Sequence, residues 1–277
     1  YNMKNKSKLN LKVDALCKKK KKKMNLPINK QTVLITGAGR GLGSAIAKSF
    51  DREGAQVIIN YRNSYDSAKK LSENMKGKAI LLQGDIRNKS DILTMNKELE
   101  RQGIFVNTVV HNAINDFIFN GEERKKIDEI EWQDFQNQIE TTQKGLLNLI
   151  NVFTPSMKNN SFGRIITIGT NLFQNPVVPY HDYTAAKGGL LSLTRTAAVE
   201  LGKYNITINM ISGGLLKVTD ASSATPDSVF DYISSITPLR KVTTVEEFSD
   251  AVLLFSSPWS RAITGQNLIV DGGLVLN

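Results

Sequence analysis

The chain has 277 residues, 40% of them apolar, which is enough for one large α/β domain or two small ones with a real core. No apolar run approaches the ~18 residues of a transmembrane helix and no apolar leader opens the chain, so a cytoplasmic protein is expected. Cys17 is the lone cysteine and His111 and His181 are the only histidines, which excludes an internal disulfide and a Cys- or His-rich metal site. The formal charge of +10 points toward nucleic acid until it is located: residues 1–23 hold ten lysines and one acid, Asp14, for a net +9, which leaves the rest at +1. Residues 1–23 are expected to be a disordered, dispensable Lys-rich extension. They read either as a solvated tail or as a polybasic patch for an anionic surface. Met24 opens a compact sequence and is the expected natural start, with the tail as upstream translated sequence or an expression remnant. No nucleic acid or membrane is expected to bind the folded domain.

From Met24 the chain alternates short β-branched runs with amphipathic stretches. Strands are predicted at 32–36, 56–60, 79–83, 106–111, 164–169, 206–211 and 267–271. Helices are predicted at 42–53, 64–75, 90–101, 132–157, 182–203 and 245–257, with a loop at 215–240. Continuous apolar strands separated by helices mean a parallel sheet covered on both faces. The expectation is a single domain, residues 24–277, built on a doubly wound parallel sheet of about seven strands.

The turn TGAGRGLG (36–43) joins the first strand to the first helix. Glycines let a backbone approach a pyrophosphate, and the helix N-terminus offers free N–H groups. The spacing is Gly37, Gly41, Gly43, with Leu42 where the strict G-x-G-x-x-G fingerprint has its third glycine. The same turn would also suit a tight strand-to-helix loop with no ligand. At the end of the second strand, where an acid would bind the ribose of NAD, the sequence reads Asn60, Tyr61, Arg62. Arg62 and Arg40 together suit a 2′-phosphate, because a guanidinium binds phosphate bidentately, so NADP is expected over NAD. The competing reading makes Arg62 an ordinary surface arginine.

Tyr183 and Lys187 are four apart on the helix DYTAAKGGLLSL and share a face. An ammonium beside a phenol favours the phenolate, which would let Tyr183 move a proton to or from a carbonyl oxygen. Thr170 lies 13 residues upstream at a strand C-terminus, where ligands bind in this architecture. Its hydroxyl would hold a carbonyl, or it is simply a strand-end turn residue.

Together these residues resemble the short-chain dehydrogenase/reductase family, and within it the 3-oxoacyl-acyl-carrier-protein reductase branch, over residues 26–277. TGAGRGLG resembles the family's nucleotide turn and YTAAK its catalytic pair. GDI, with Asp85 and Ile86, resembles its adenine-contacting segment, and HNA, with Asn112 and Ala113, its Asn-Ala-Gly segment. ITGQNLIVDGG (263–273) resembles its C-terminal signature. The resemblance implies a Rossmann-type fold, a homotetramer by family precedent, and a role of the fatty-acid-biosynthesis kind. It places Thr170 on the family's serine and Thr142 on its catalytic asparagine, where Thr142 would hold a water or bond back to its own helix. Further departures are Ile114 for glycine, Gly213-Gly214 for Pro-Gly, and a few extra residues within 115–131. Gly214 and Thr219 would contact the cofactor, and the loop around 215–240, with Ser222, Ser223 and Thr225, would close over substrate. The implied activity is NADP(H)-dependent reduction of a small or carrier-linked carbonyl. Tyr183 would be the acid, Lys187 would lower its pKa and hold the ribose, and Thr170 would orient the carbonyl. The alternative is a catalytically weak nucleotide-binding regulator or scaffold of the same fold.

Overall fold

The computed structural model describes residues 26–77, 79–115, 117, 119–217 and 222–276; the expectations for the lysine tail and for Thr219 lie outside the described residues. The chain runs β1 (Thr32–Ile35), α1 (Gly41–Arg52), β2 (Gln56–Tyr61), α2 (Tyr65–Glu73), β3 (Ile80–Gln83), α3 (Lys89–Arg101) and β4 (Thr108–His111). It continues through α4 (Trp132–Ile139), a π-helical turn (Glu140–Lys144), α5 (Gly145–Asn160), β5 (Gly163–Thr170), α6 (His181–Leu201) and β6 (Ile206–Gly213). It closes with α7 (Asp227–Ile236), α8 (Val245–Ser256) and β7 (Asn267–Val270).

The seven strands form one sheet in the order β3-β2-β1-β4-β5-β6-β7, and every neighbouring pair is parallel. This is the doubly wound Rossmann-type arrangement. Alternate strand residues feed two apolar layers. Leu34, Ile58, Val109, Ile165 and Ile208 pack with Ile92 and Leu99 of α3, Leu146 and Leu149 of α5, and Leu190 and Leu201 of α6. Val33, Ile35, Ile59, Val110, Ile166 and Ile211 face the other way, onto Phe50 of α1, Leu71 of α2 and Phe248 and Val252 of α8. Because both faces are buried, the central strands read as unbroken apolar runs. The strand order reverses between β1 and β4, which opens a crevice at their C-terminal ends, the place where this architecture binds ligands.

Two expectations need correction. The predicted helix 132–157 is α4 and α5 separated by the π-helical turn, and it extends to Asn160. The predicted loop 215–240 contains α7, ten residues long, whose Phe230 is buried.

Candidate active site

The nucleotide turn is built by backbone. Gly37 has φ +62°, which L side chains rarely adopt, and a Cβ on it would stand 3.0 Å from the Ala113 Cα. A Cβ on Gly43 would fall 2.4 Å from the Gly37 carbonyl oxygen and 2.6 Å from the Asn112 side-chain nitrogen. Asn112 locks this geometry by donating from Nδ2 to the carbonyls of Thr36 (3.0 Å) and Gly37 (3.3 Å). The Thr36 hydroxyl accepts from the backbone N–H of Asn112 and of Ala113, both at 3.0 Å. Arg40 precedes α1 without a side-chain cap, so the first-turn N–H groups of that helix have no side-chain acceptor from the N-cap. A cradle that a Cβ on Gly37 or Gly43 would fill, opening onto a helix N-terminus, fits a dinucleotide pyrophosphate.

Gly39 packs against the segment after β2, since its Cβ would lie 2.4 Å from Ser64 Oγ. That contact brings the loop of Arg40 beside the loop of Arg62. Arg62 also acts on Asp85, whose carboxyl is held below its ordinary range first by hydrogen bonds from Arg87 and then, more weakly, by the Arg62 charge. The Arg87–Asp85 pair closes at 2.6 Å. Two candidate cofactor residues offer only backbone. The Tyr61 ring is buried in the core, 5.8 Å from the ring of Tyr65. Ile86 is likewise a core residue, and its carbonyl accepts from Asn148 Nδ2 at 3.0 Å. A cavity of about 680 Å³ runs from Gly41 and Lys48 on α1 to Ser222, Ser223 and Thr225. That polar segment therefore faces the outer side of the nucleotide turn. Gly214 sits at the end of β6, where a Cβ would come 2.9 Å from Asn171 Nδ2. Leu42 packs in the core layer under α1.

Thr170, Tyr183 and Lys187 meet at the C-terminal end of β5. The Thr170 hydroxyl lies beside the Tyr183 phenol and accepts from the Leu172 N–H at 3.3 Å, so it serves both the site and the strand-end turn. Burial pushes the phenol up to about 12, and the Thr170 hydroxyl is the group that pulls it back down. The sequence reading gave that task to Lys187. Instead the Lys187 ammonium lies 5.6 Å from the Tyr183 ring centre and donates to the Ile168 carbonyl at 2.6 Å, and burial lowers it to about 7. Thr142, buried on the π-helical turn, donates its hydroxyl to the Gln138 carbonyl at 2.7 Å. Of its two expected roles, the back-bond to its own helix is the one observed.

Sequence reasoning missed what lies over the tyrosine. Phe117 and Phe119 pack on Tyr183 at ring-centre distances of 4.8 and 5.4 Å, and both also touch Tyr180. Arg124 stacks on Phe117 at 4.1 Å and pairs at 2.7 Å with Asp182, the residue before Tyr183. The signal was present in the alternating DFIFNGEER of the longer 115–131 segment, but nothing in the pattern says which residue it covers. Among the described residues, no group of three His, Cys, Asp or Glu could hold a metal, and no helix is long and apolar enough to cross a membrane.

A family profile described as enoyl-(acyl carrier protein) reductase matches residues 37–275. The chain belongs to the short-chain dehydrogenase/reductase family. It is similar to the 3-oxoacyl-(acyl-carrier-protein) reductase FabG of Staphylococcus epidermidis, with 31% identity over 249 residues, covering 89% of this chain and 99% of the relative. FabG of Staphylococcus aureus is 29% identical over the same length, covering 89% and 98%. A solved gluconate 5-dehydrogenase from Burkholderia cenocepacia, in complex with NADP and tartrate, superposes with a TM-score of 0.79 at 25% identity, covering 91% of this chain and 97% of that one. The protein is a nicotinamide-dependent oxidoreductase of this family.

Proposed function

We propose that the protein reduces a ketone-type carbonyl, 3-oxoacyl-like or related, to an alcohol with NADPH. The observation that carries the reading is the buried Thr170–Tyr183 pair at the strand end, beside a glycine cradle that fits a dinucleotide. When bound, NADPH supplies the hydride for the carbonyl carbon. Gly37, Gly41, Gly43, Asn112 and Ala113 would form the floor for it, with Lys187 toward its ribose, and Arg40 and Arg62 would favour the 2′-phosphate. Tyr183 donates the proton to the carbonyl oxygen as charge develops there. Thr170, beside the phenol, orients the carbonyl. The phenol pushed up to about 12 is a proton donor rather than a phenolate over the neutral range, which suits the reductive direction.

The names of the FabG relatives favour a 3-oxoacyl thioester carried on a protein, and the NADP complex of the Burkholderia enzyme favours the phosphorylated cofactor. A second reading, a nucleotide-binding regulator with weak catalysis, is favoured by the Thr142 hydroxyl being tied to its own helix. NADPH oxidation with a panel of ketones, β-keto esters, 3-oxoacyl thioesters and quinones separates the two. Turnover of at least one class is expected. NADPH binding with no turnover across the panel would favour the regulator.

A further inference from the structure

Residues 24–277 sum to only +1, and the expectation of no membrane contact rests on that average. The average hides a division along the strand axis. All seven strands run the same way, so the connections leading into them gather at one end of the sheet and the crevice lies at the other. Among the described residues, the connections 26–31, 53–55, 74–79, 102–107, 161–162, 202–205 and 257–266 carry Lys30, Lys76, Lys203 and Arg261, all exposed, against one acid, Glu53. Arg52 matches that acid at 2.9 Å. At the crevice end, the connection 112–131 alone holds six acids and three cations.

Two more cations belong to the first end. Arg164, 1% exposed at the start of β5, donates to the Gly163 carbonyl at 2.8 Å and stacks 4.4 Å from the Phe162 ring centre. Lys158, in the last turn of α5, lies 4.8 Å from the ring of Tyr204, and Lys203 lies 5.2 Å from the same ring. Rings and carbonyls hold these charges, and no carboxylate among the described residues pairs with them.

Cations near helix C-termini complement the helix dipole, which accounts for part of this bias. It does not account for two large rings presented to water: Trp259 is 83% exposed and Phe105 54%. Both stand beside the point where the chain enters β1. Gln31 donates to the carbonyl of Ser256, three residues before Trp259, at 2.8 Å. The Thr32 N–H donates to Asn107 Oδ1, two residues after Phe105, at 3.1 Å. Asn107 also accepts at its carbonyl from the Arg164 N–H at 3.0 Å, so the buried guanidinium belongs to the same patch. The chain that joins the domain here brings ten lysines and a net charge of +9 in residues 1–23.

We infer that this end of the sheet docks on an anionic lipid bilayer. Lysine and arginine draw the face to the headgroups, and the Trp259 and Phe105 rings enter the interfacial layer, which suits rings with one wet and one apolar side. Charge and rings together supply the two signals that stable peripheral binding takes. A nucleic-acid duplex would attract the same cations but has no apolar layer for the rings. No helix among the described residues is long and apolar enough to cross a membrane, so the contact is at the surface, and the crevice faces away from it. This inference stands apart from the carbonyl-reduction reading.

The test uses the full chain. Trp132→Phe leaves Trp259 as the only indole. This variant should float with vesicles of phosphatidylcholine and phosphatidylglycerol in equal parts. Its emission should move to shorter wavelength and be quenched by brominated acyl chains. Vesicles of phosphatidylcholine alone should produce neither effect. In otherwise wild-type chain, Phe105→Ser with Trp259→Ser should weaken partitioning by about tenfold or more. Lys203→Gln with Arg261→Gln should weaken it by about fivefold per charge. All four side chains are exposed, so the thermal midpoint should hold; if a pair lowers it, the emission of Trp132→Phe decides alone. Flotation with no emission change, untouched by either pair, assigns the binding to the lysine-rich segment and overturns the docking face. An emission change with a duplex oligonucleotide, without quenching by brominated lipid, overturns it in favour of nucleic acid. Absence of flotation overturns it outright.

Discussion

The two walls of the crevice are made of different material. The cofactor wall is backbone: glycines at 37 and 43, the Thr36 and Asn112 bonds that lock them, and a helix N-terminus. The proposed substrate wall is side chain: Phe117 and Phe119 packed on both Tyr183 and Tyr180, with Arg124 held over Phe117. A backbone wall tolerates almost no added atom, whereas an aromatic wall trims and repacks. The cofactor wall should therefore be fixed and the substrate wall tunable.

The sharpest way to strain that contrast is at the tyrosine under the aromatic wall. Tyr183→Phe keeps the ring, and with it the aromatic stack, but removes the proton. kcat should fall by about 10²- to 10⁴-fold, while NADPH still binds by fluorescence titration. Full activity in this variant would sink the mechanism. Next, Gly43→Ala and Phe117→Ala test the walls separately. Gly43→Ala forces a Cβ to 2.4 Å from a carbonyl oxygen, so urea denaturation should show a loss of about 1–3 kcal/mol along with weakened binding of both cofactors. Phe117→Ala should leave cofactor affinity alone and shift KM and substrate preference. If Phe117→Ala instead weakened cofactor binding, the two walls would not be separable.

Arg62→Ala refines the cofactor side. Loss of a charge-assisted contact of about 1.5–3 kcal/mol should weaken NADPH by about tenfold or more and leave NADH nearly unchanged. Equal losses for both nucleotides would remove Arg62 from the 2′-phosphate. The smallest effect is on stability against pH. Burial lowers Lys187 from 10.5 to about 7, so between these values the unfolded chain holds one more proton than the folded one. This contribution to stability rises with pH across that window and is lost as pH falls toward 7, at up to about 1.4 kcal/mol per pH unit. Denaturation at pH 7, 8 and 9 should show a positive slope that is shallower in Lys187→Met.

The contrast also explains what could be read in the sequence. Strand periodicity and glycine spacing are local properties, so all seven strands and the nucleotide turn were legible, with boundaries off by a residue or two. The Tyr183–Lys187 pair is local as well. What was hidden depends on contacts far apart in sequence. The place of Thr170 beside Tyr183, the Ile168 carbonyl under Lys187 and the roof of Phe117 and Phe119 are set by packing, not by spacing. Tyr61 and Ile86 sit at the right sequence positions for the cleft, yet alternation along the strand and the following turn sends their side chains into the core. The π-helical turn was invisible because its extra residue leaves the apolar pattern of the long helix unbroken. Helix α7 went unread in a stretch of serines and threonines chosen for its polarity.

The link between Arg124 and Asp182 gives the substrate wall a latch. Asp182 is 1% exposed, with one carboxylate oxygen on Arg124 and the other without a partner. Lifting Phe117 from Tyr183 by moving its segment separates this pair and leaves a carboxylate stranded out of water, a costly state when its one partner is withdrawn. Mobile ions reach such a pair poorly, so added salt should loosen it far less than it loosens a surface bridge. Charge as well as aromatic packing thus fastens the segment over the tyrosine, and its anchor, Asp182, is the chain neighbour of Tyr183.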